Sequence, residues 1–298
     1  MNLPRTQNLG VLEGPLLIFG GPYSNLAATR ALRDVAVKLA IPPQRIVCTG
    51  DMVAYCAEPE ETVNLIREWG VHVVLGNCEE SLASRALDCG CGFEAGSTCS
   101  ALSDQWFRYA DARISEGNRS WMGQLPVSLT FQLGSQRFSC VHGGVESINK
   151  FLFASTPGAA KIAELSLLSK DIDGLITGHC GIPFGQMIEG RVWLNAGVIG
   201  LPANDGTADG WYLVIDPVDN MINQQVPAIR STIIRWQADH SGIKPRPALD
   251  HLAKGNPAMA CNQTINIITE KAQLRHFRFL GCRSKEKVIN QLYAGVNA

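Results

Sequence analysis

Short apolar runs that end in glycine-containing loops are the feature that most constrains this sequence. The run at residues 73–75 stops at Gly76 and is followed at once by Asn77, Cys78 and Glu79. A continuous apolar run that turns polar at its end is typical of a buried parallel strand whose carboxyl end reaches solvent. Open α/β sheets carry their binding residues at that end. The stretch therefore predicts a functional site at the edge of a sheet.

The same pattern occurs four more times, after residues 16–19, 46–49, 138–141 and 175–177. Between the early runs, Asn25 is a suitable N-cap for one helix, and Pro59 and Gly70 mark the ends of the next. This order predicts a β-α-β-α-β unit with parallel strands. The loops after the runs carry polar residues suited to a metal and an anion: Asp51, Asn77, His142 and His179.

The later part of the chain predicts a second kind of organisation. Hairpins are expected over 127–141 and 186–194, a helix over 157–168, and strands at 211–215 and 225–229. Together with the first unit, this pattern predicts an α/β (α+β) fold, a four-layer α-β-β-α sandwich of two mixed sheets. We expect a domain over residues 1–230, with an insertion at about 81–125 over the site. Residues 231–298 would form an extension of unknown role, with a helix at 285–292.

Composition excludes several classes of function. The 298 residues include 26 Lys and Arg against 27 Asp and Glu, so no bulk charge recruits nucleic acid or an anionic membrane. No apolar stretch approaches the roughly 20 residues of a membrane helix, and residues 1–16 lack the pattern of a signal peptide. We therefore expect a soluble cytoplasmic protein whose ten cysteines are reduced. The oligomeric state stays open.

The ordered motifs resemble those of the calcineurin-like metallophosphoesterases, especially their small bacterial phosphodiesterase branch. Four motifs fall in the order of the family, and residues 195–198 match a fifth loosely: Gly50-Asp51, Gly76-Asn77, His142-Gly143 and Gly178-His179. The resemblance covers about residues 16–229. It implies a metal-dependent hydrolase of phosphate mono- or diesters, whose partner is a small phosphorylated substrate or a nucleotide.

The resemblance also assigns roles to residues. Asp51, Asn77, His142 and His179 would hold one divalent ion, for which Zn, Mn or Fe suits the donors. In the family, a second ion has three further ligands that it does not share with the first. This sequence has Gly21, Tyr23 and Gly181 at those positions, so a second ion is not expected. The remaining candidates are Cys78 and Glu79 for catalysis, Tyr23 and Cys180 as additional ligands, and Gly20 and Gly21 for phosphate binding.

The missing ligands leave alternatives open. The first alternative is that the chain is a catalytically inactive binding or scaffold protein, as its resemblance to the retromer subunit of the superfamily suggests. Thiol or metal redox chemistry at Cys78 and Cys180 is another. Cys89, Cys91 and Cys99 could form a zinc knot with a fourth ligand, although they lack a Cys-x-x-Cys pair.

Overall fold

Two mixed β-sheets organise the fold. The computed structural model describes residues 5–93, 97–202, 209–218, 228–236 and 277–280. The strands are β1 (Thr6–Leu12), β2 (Leu16–Phe19), β3 (Ile46–Cys48), β4 (His72–Val73), β5 (Ser128–Leu133), β6 (Gln136–Val141), β7 (Gly174–Thr177), β8 (Phe184–Ile188), β9 (Arg191–Asn195), β10 (Gly210–Val218), β11 (Ala228–Trp236) and β12 (Phe277–Leu280). The α-helices are α1 (Leu26–Lys38), α2 (Pro59–Trp69), α3 (Asn77–Ser84), α4 (Thr98–Asp111), α5 (Glu116–Met122) and α6 (Gly158–Ser166).

Each sheet has six strands. The first sheet has the order β12-β11-β10-β2-β3-β4, in which β2, β3 and β4 are parallel and the others antiparallel. The second has the order β1-β5-β6-β7-β9-β8, in which β6, β7 and β9 run parallel and β1 runs parallel to β5. Hairpins β5–β6 and β8–β9 are antiparallel, as expected from their short connections. The prediction of an α/β fold with two mixed sheets is confirmed.

The central core lies between the two sheets. Leu16 and Ile18 of β2 belong to the same buried cluster as Leu129 and Phe131 of β5 and Leu213 of β10. The intervening residues of β2, Leu17 and Phe19, belong to a different cluster. Because alternate side chains of a strand point to opposite faces, β2 is covered on both sides. This explains why its sequence is uniformly apolar.

Helices cover the outer faces of the sheets. Leu32 of α1 and Ile66 of α2 pack with Leu17 and Phe19 in one cluster. On the other side, Leu165 of α6 packs with Trp193 of β9. Side-chain packing from both directions therefore holds the parallel strands in place.

Local sequence signals explain several boundaries. The Asn25 side chain accepts a hydrogen bond from the Ala28 amide and caps α1, as predicted. Pro59 begins α2, and Gly70 ends it in the left-handed conformation at φ 74°. Proline is common at the first position of a helix and glycine just after the last, so both residues stand at typical positions.

Other boundaries differ from the prediction. The region from Asn77 is the start of α3 rather than an irregular loop, and strand β1 was not predicted. Strand β11 spans Ala228–Trp236 rather than 225–229. The helix predicted at 285–292 lies outside the described residues, and the division at residue 230 stays a prediction. Among helices in the described ranges, none combines the length and apolar character needed to cross a bilayer.

The cysteine prediction was wrong for one pair. Cys89 and Cys91 form a disulfide, whereas Cys48, Cys56, Cys78, Cys140 and Cys180 are free. While they are joined in this disulfide, the sulfurs of Cys89 and Cys91 cannot act as thiolate ligands in a zinc knot. The side chain of Cys99 lies outside the described part of the chain.

A pair of matched substitutions tests the central core. Leu129 is 0% exposed between the sheets, whereas Leu87 is 97% exposed. We expect Leu129→Ala to lower the free energy of unfolding by about 3 kcal/mol, because it removes buried apolar area and leaves a cavity. Leu87→Ala should change it by less than about 0.5 kcal/mol. Urea denaturation with unchanged m-values would measure both, and equal losses would contradict the assigned core.

Candidate metal centre

Four candidate ligands meet at the boundary between the two sheets. Asp51 follows β3 and Asn77 begins α3 after β4, both in the first sheet. His142 follows β6 and His179 follows β7, both in the second sheet. The carboxyl ends of strands from both sheets therefore supply the site, as the sequence predicted for such strand ends.

The donor atoms of these residues converge around His142. Its Nε2 lies 3.0 Å from Asn77 Oδ1, 3.1 Å from His179 Nδ1 and 3.4 Å from Asp51 Oδ1. Ligand atoms of Asp51, His142 and His179 all lie within 4.8 Å of one another, and all three residues are buried. One carboxylate, one amide oxygen and two imidazoles form a reasonable donor set for Zn, Mn or Fe.

A hydrogen bond fixes the orientation of the central histidine. His142 Nδ1 lies 2.6 Å from the Thr49 carbonyl oxygen. Since a carbonyl can only accept, Nδ1 carries the proton, and a neutral ring presents the lone pair of Nε2. Metal-binding histidines are commonly oriented by such a bond.

Asn77 is oriented in the same way. Its Nδ2 donates to the Cys89 carbonyl oxygen at 2.9 Å, so its Oδ1 faces His142. When His142 is neutral, Oδ1 of Asn77 and the lone pair of His142 Nε2 are both acceptors, and Asp51 Oδ1 is buried without a hydrogen bond to the described residues. A cation would satisfy this excess of acceptors. The residues present therefore fit a bound metal ion.

The electrostatic environment sets the charge of these ligands. Burial raises the pKa of Asp51, but the facing charges of His142 and His179 lower it below the ordinary value overall. Burial and the neighbouring His142 lower the pKa of His179 to about 4. Burial lowers the pKa of His142, and the charge of Asp51 more than reverses that effect. At neutral pH, Asp51 is thus ionised and His179 neutral, which are their ligand forms, whereas His142 must lose the proton that Asp51 favours before its Nε2 can bind an ion.

Glu79 holds the loops of the site in position. One carboxylate oxygen accepts from the amides of Met52 and Val53 at 2.7 and 3.3 Å. The other accepts from the amides of Asp51 and Gly76 at 2.9 and 3.2 Å. Burial and the nearby charge of Asp51 raise its pKa to about 7. Because both of its oxygens accept from backbone amides, Glu79 has the contacts of a residue that positions the loops, and its catalytic role stays a prediction.

The two cysteines beside the ligands are neutral. Burial and the charges of Asp51 and Glu79 raise the pKa of the Cys78 thiol well above its usual range. Burial raises the pKa of the Cys180 thiol to about 12, and its Sγ accepts from Asn195 Nδ2 at 3.3 Å. Within the described chain, the group that converges on a metal position contains Asp51, His142 and His179 but neither thiol.

Side chains fill the space beside the positions of the missing ligands. A Cβ added at Gly21 would lie 2.4 Å from Val198 Cγ1 and 2.7 Å from Tyr23 Cζ. A Cβ at Gly181 would lie 3.7 Å from the Tyr23 hydroxyl. The buried ring of Tyr23 therefore lies between Gly21 and Gly181. Burial and the charge of Asp51 raise the pKa of Tyr23 well above the usual value, which keeps its hydroxyl protonated.

The loop of Gly20 and Gly21, whose assignment to phosphate binding stays a prediction, packs closely against neighbouring loops. The Gly21 amide donates to the Gly50 carbonyl at 3.1 Å, while the Gly20 and Gly21 carbonyls accept from Ile199 and Gly200. A Cβ at Gly20 would lie 2.5 Å from Thr49 Oγ1. Glycine is needed here for close packing with neighbouring loops.

Asn195 is a positioning residue that the sequence matched only loosely. Its Nδ2 donates to the Gly178 carbonyl at 2.7 Å, and its Oδ1 accepts from the Gly197 amide at 2.9 Å. It therefore fixes the loop that carries His179. Its position at the end of an apolar strand and the loose motif match of residues 195–198 were the sequence signals for this role.

Comparison with known proteins agrees with this geometry. The sequence model of the calcineurin-like phosphoesterase family matches residues 18–203, and the chain belongs to that family. A metallophosphoesterase from Sphaerobacter thermophilus is similar in structure, with a TM-score of 0.58 and 16% identity over 85% of this chain and 100% of the other. A hypothetical protein from Pyrococcus horikoshii OT3 also has a TM-score of 0.58, with 14% identity over 81% of this chain and 93% of the other. The comparison with curated proteins gave no match.

Two histidine substitutions test the metal centre. We expect His142→Ala to reduce bound metal from about one ion per chain to a trace, because it removes one of only four donors. His72→Ala, in strand β4 outside the candidate ligands, should retain the ion. Elemental analysis of protein purified without chelator would measure both, and metal retention by His142→Ala would contradict the site.

A second pair of substitutions tests the role of Glu79. Glu79→Gln replaces one of the two acceptor oxygens with a donor, so at least one of its backbone bonds is lost. We expect metal affinity to fall about tenfold, as for other residues that orient ligands. Glu80→Gln, at the exposed neighbouring position, should have no effect on affinity. Competition with a metal chelator would measure both, and equal affinities would contradict the positioning role.

Proposed function

We propose that the protein is a divergent metal-dependent phosphoesterase that hydrolyses a phosphate mono- or diester with a single divalent ion. The observation that carries this proposal is the convergence of Asn77, Asp51, His142 and His179 in a chain of the calcineurin-like phosphoesterase family. The ligand is a small phosphorylated compound or a nucleotide. The filled space around Gly21 favours one ion rather than two.

The chain supplies the following groups to the reaction. When bound, a divalent ion would polarise a phosphoryl oxygen and lower the pKa of a coordinated water. Asp51, Asn77, His142 and His179 would hold the ion, while Glu79 and Asn195 hold the loops. Tyr23 supplies a neutral hydroxyl at a position where, by resemblance, the family has a ligand of a second ion.

The protonated thiol of Cys78 has a chemical consequence. By resemblance, Cys78 stands at the position of a catalytic histidine of the family. The pKa of its thiol is raised, so it is a weak acid. A general acid whose pKa lies near the working pH raises the reaction rate by about 10²- to 10⁴-fold. The enzyme should therefore prefer esters whose leaving group departs without a proton, such as p-nitrophenolate.

Turnover of bis(p-nitrophenyl) phosphate tests this function. We expect Asp51→Asn to lose at least about a hundredfold in kcat/KM, since it removes the only carboxylate among the candidate metal ligands. Asp34→Asn, at an exposed position on α1, should retain full activity. Activity that survives in Asp51→Asn, or that does not depend on added metal, would contradict the proposal.

The second candidate function is a catalytically inactive binding or scaffold protein. The observation that favours it is the same Tyr23 and Val198 packing over Gly21, because it leaves no room for a family-like aspartate there. Protein that binds one ion yet fails to hydrolyse either mono- or diesters of p-nitrophenol would favour this function over the enzyme.

A further inference from the structure

Three partly exposed phenylalanine rings lie in a row beside the metal centre. The Phe93 and Phe151 rings stack with centroids 5.8 Å apart and planes 28° from parallel. The Phe151 and Phe153 rings lie 6.1 Å apart with planes 4° from parallel. Each of the three is only partly buried. We call Phe93, Phe151 and Phe153 the aromatic wall.

The aromatic wall is in contact with a candidate metal ligand. The Phe151 ring centroid lies 4.3 Å from that of His179, with the planes tilted by 35°. The wall is therefore continuous with the metal centre, and a ligand held at one could extend over the other.

Hydrogen bonds fix the loops that carry the wall. Asn149 Nδ2 donates to the Gly90 carbonyl at 2.9 Å and so joins the loop before Phe151 to the loop before Phe93. The Cys89 carbonyl accepts from Asn77, and the Cys89–Cys91 disulfide lies just before Phe93. The wall and the ligand Asn77 thus belong to one connected set of loops.

We propose that the aromatic wall is a subsite for the nucleobase of a nucleoside phosphate whose phosphoryl group lies at the metal centre. This inference rests on the proposed function for the position of the phosphoryl group. Flat apolar rings that are partly open to solvent bind bases by stacking, largely without regard to sequence. The wall contributes uncharged, partly exposed rings, which suits a neutral base rather than a second phosphate.

Paired ligands that differ only in the base test the subsite. Adenosine monophosphate contains ribose 5-phosphate and adds one base. We expect the metal-loaded protein to bind the nucleotide about tenfold more tightly than ribose 5-phosphate, as one stacked base contributes. Isothermal titration measures both affinities, with released phosphate assayed so that turnover is recognised.

Removal of a ring from the wall should abolish the difference in affinity between adenosine monophosphate and ribose 5-phosphate. Phe151→Leu and Phe93→Leu, on separate loops, should each bring the affinity ratio towards one; Phe93→Leu, whose ring stacks on Phe151 rather than on a ligand, should also leave the affinity for ribose 5-phosphate unchanged. Phe131→Leu removes a ring from the core between the sheets and should keep the ratio. Thermal denaturation confirms that each variant is folded.

The results separate this inference from the proposed function. Equal affinities in the unaltered protein, no binding of adenosine monophosphate, or a ratio insensitive to both wall variants would overturn the subsite. Turnover of bis(p-nitrophenyl) phosphate judges the phosphoesterase independently. An enzyme that is active on that ester but does not discriminate the base would keep the function and lose the subsite.

Discussion

The hydrogen bond from His142 to the Thr49 carbonyl is the interaction on which the site depends. Thr49 follows a strand of the first sheet and His142 follows a strand of the second, so the bond links the two sheets at their carboxyl ends. It also leaves His142 Nε2 directed at Asn77, Asp51 and His179. One buried contact thus joins the packing of the sheets to the geometry of the ligands.

The glycines beside the ligands have a steric reason. Gly50 has φ 96°, and a Cβ there would lie 2.8 Å from His142 Nδ1 and 3.0 Å from Gly76 Cα. A Cβ at Gly178 would lie 2.3 Å from Thr49 Oγ1. Side chains at these positions would separate the loops that must meet. The Gly-Asp and Gly-His motifs therefore combine a ligand with the close approach that brings it to the site.

The neighbourhood of Tyr23 is a closely packed, uncharged region beside the candidate metal ligands. Its ring packs edge-on against Tyr55 at 4.9 Å and lies between Gly21 and Gly181. The buried hydroxyl of Tyr23 is neutral, so this side chain needs no cation for stability. The Phe151 ring also contacts His179, so a second aromatic group lies beside a candidate ligand.

The sequence by itself determined the repeated strand–loop pattern, the helix caps at Asn25 and Gly70, and the family resemblance. Those signals are local, because periodicity and turn chemistry are written in neighbouring residues. It did not reveal strand β1, whose residues are mostly exposed, or the start of α3 at Asn77. The role of Glu79 was readable only in part, from its place three residues after Gly76 at a helix start. Tertiary structure alone decided that its oxygens bind four backbone amides, that Tyr23 fills the space over Gly21, and that Phe151 stands against His179. These contacts join residues far apart in the chain, and only the packing of the two sheets brings them together.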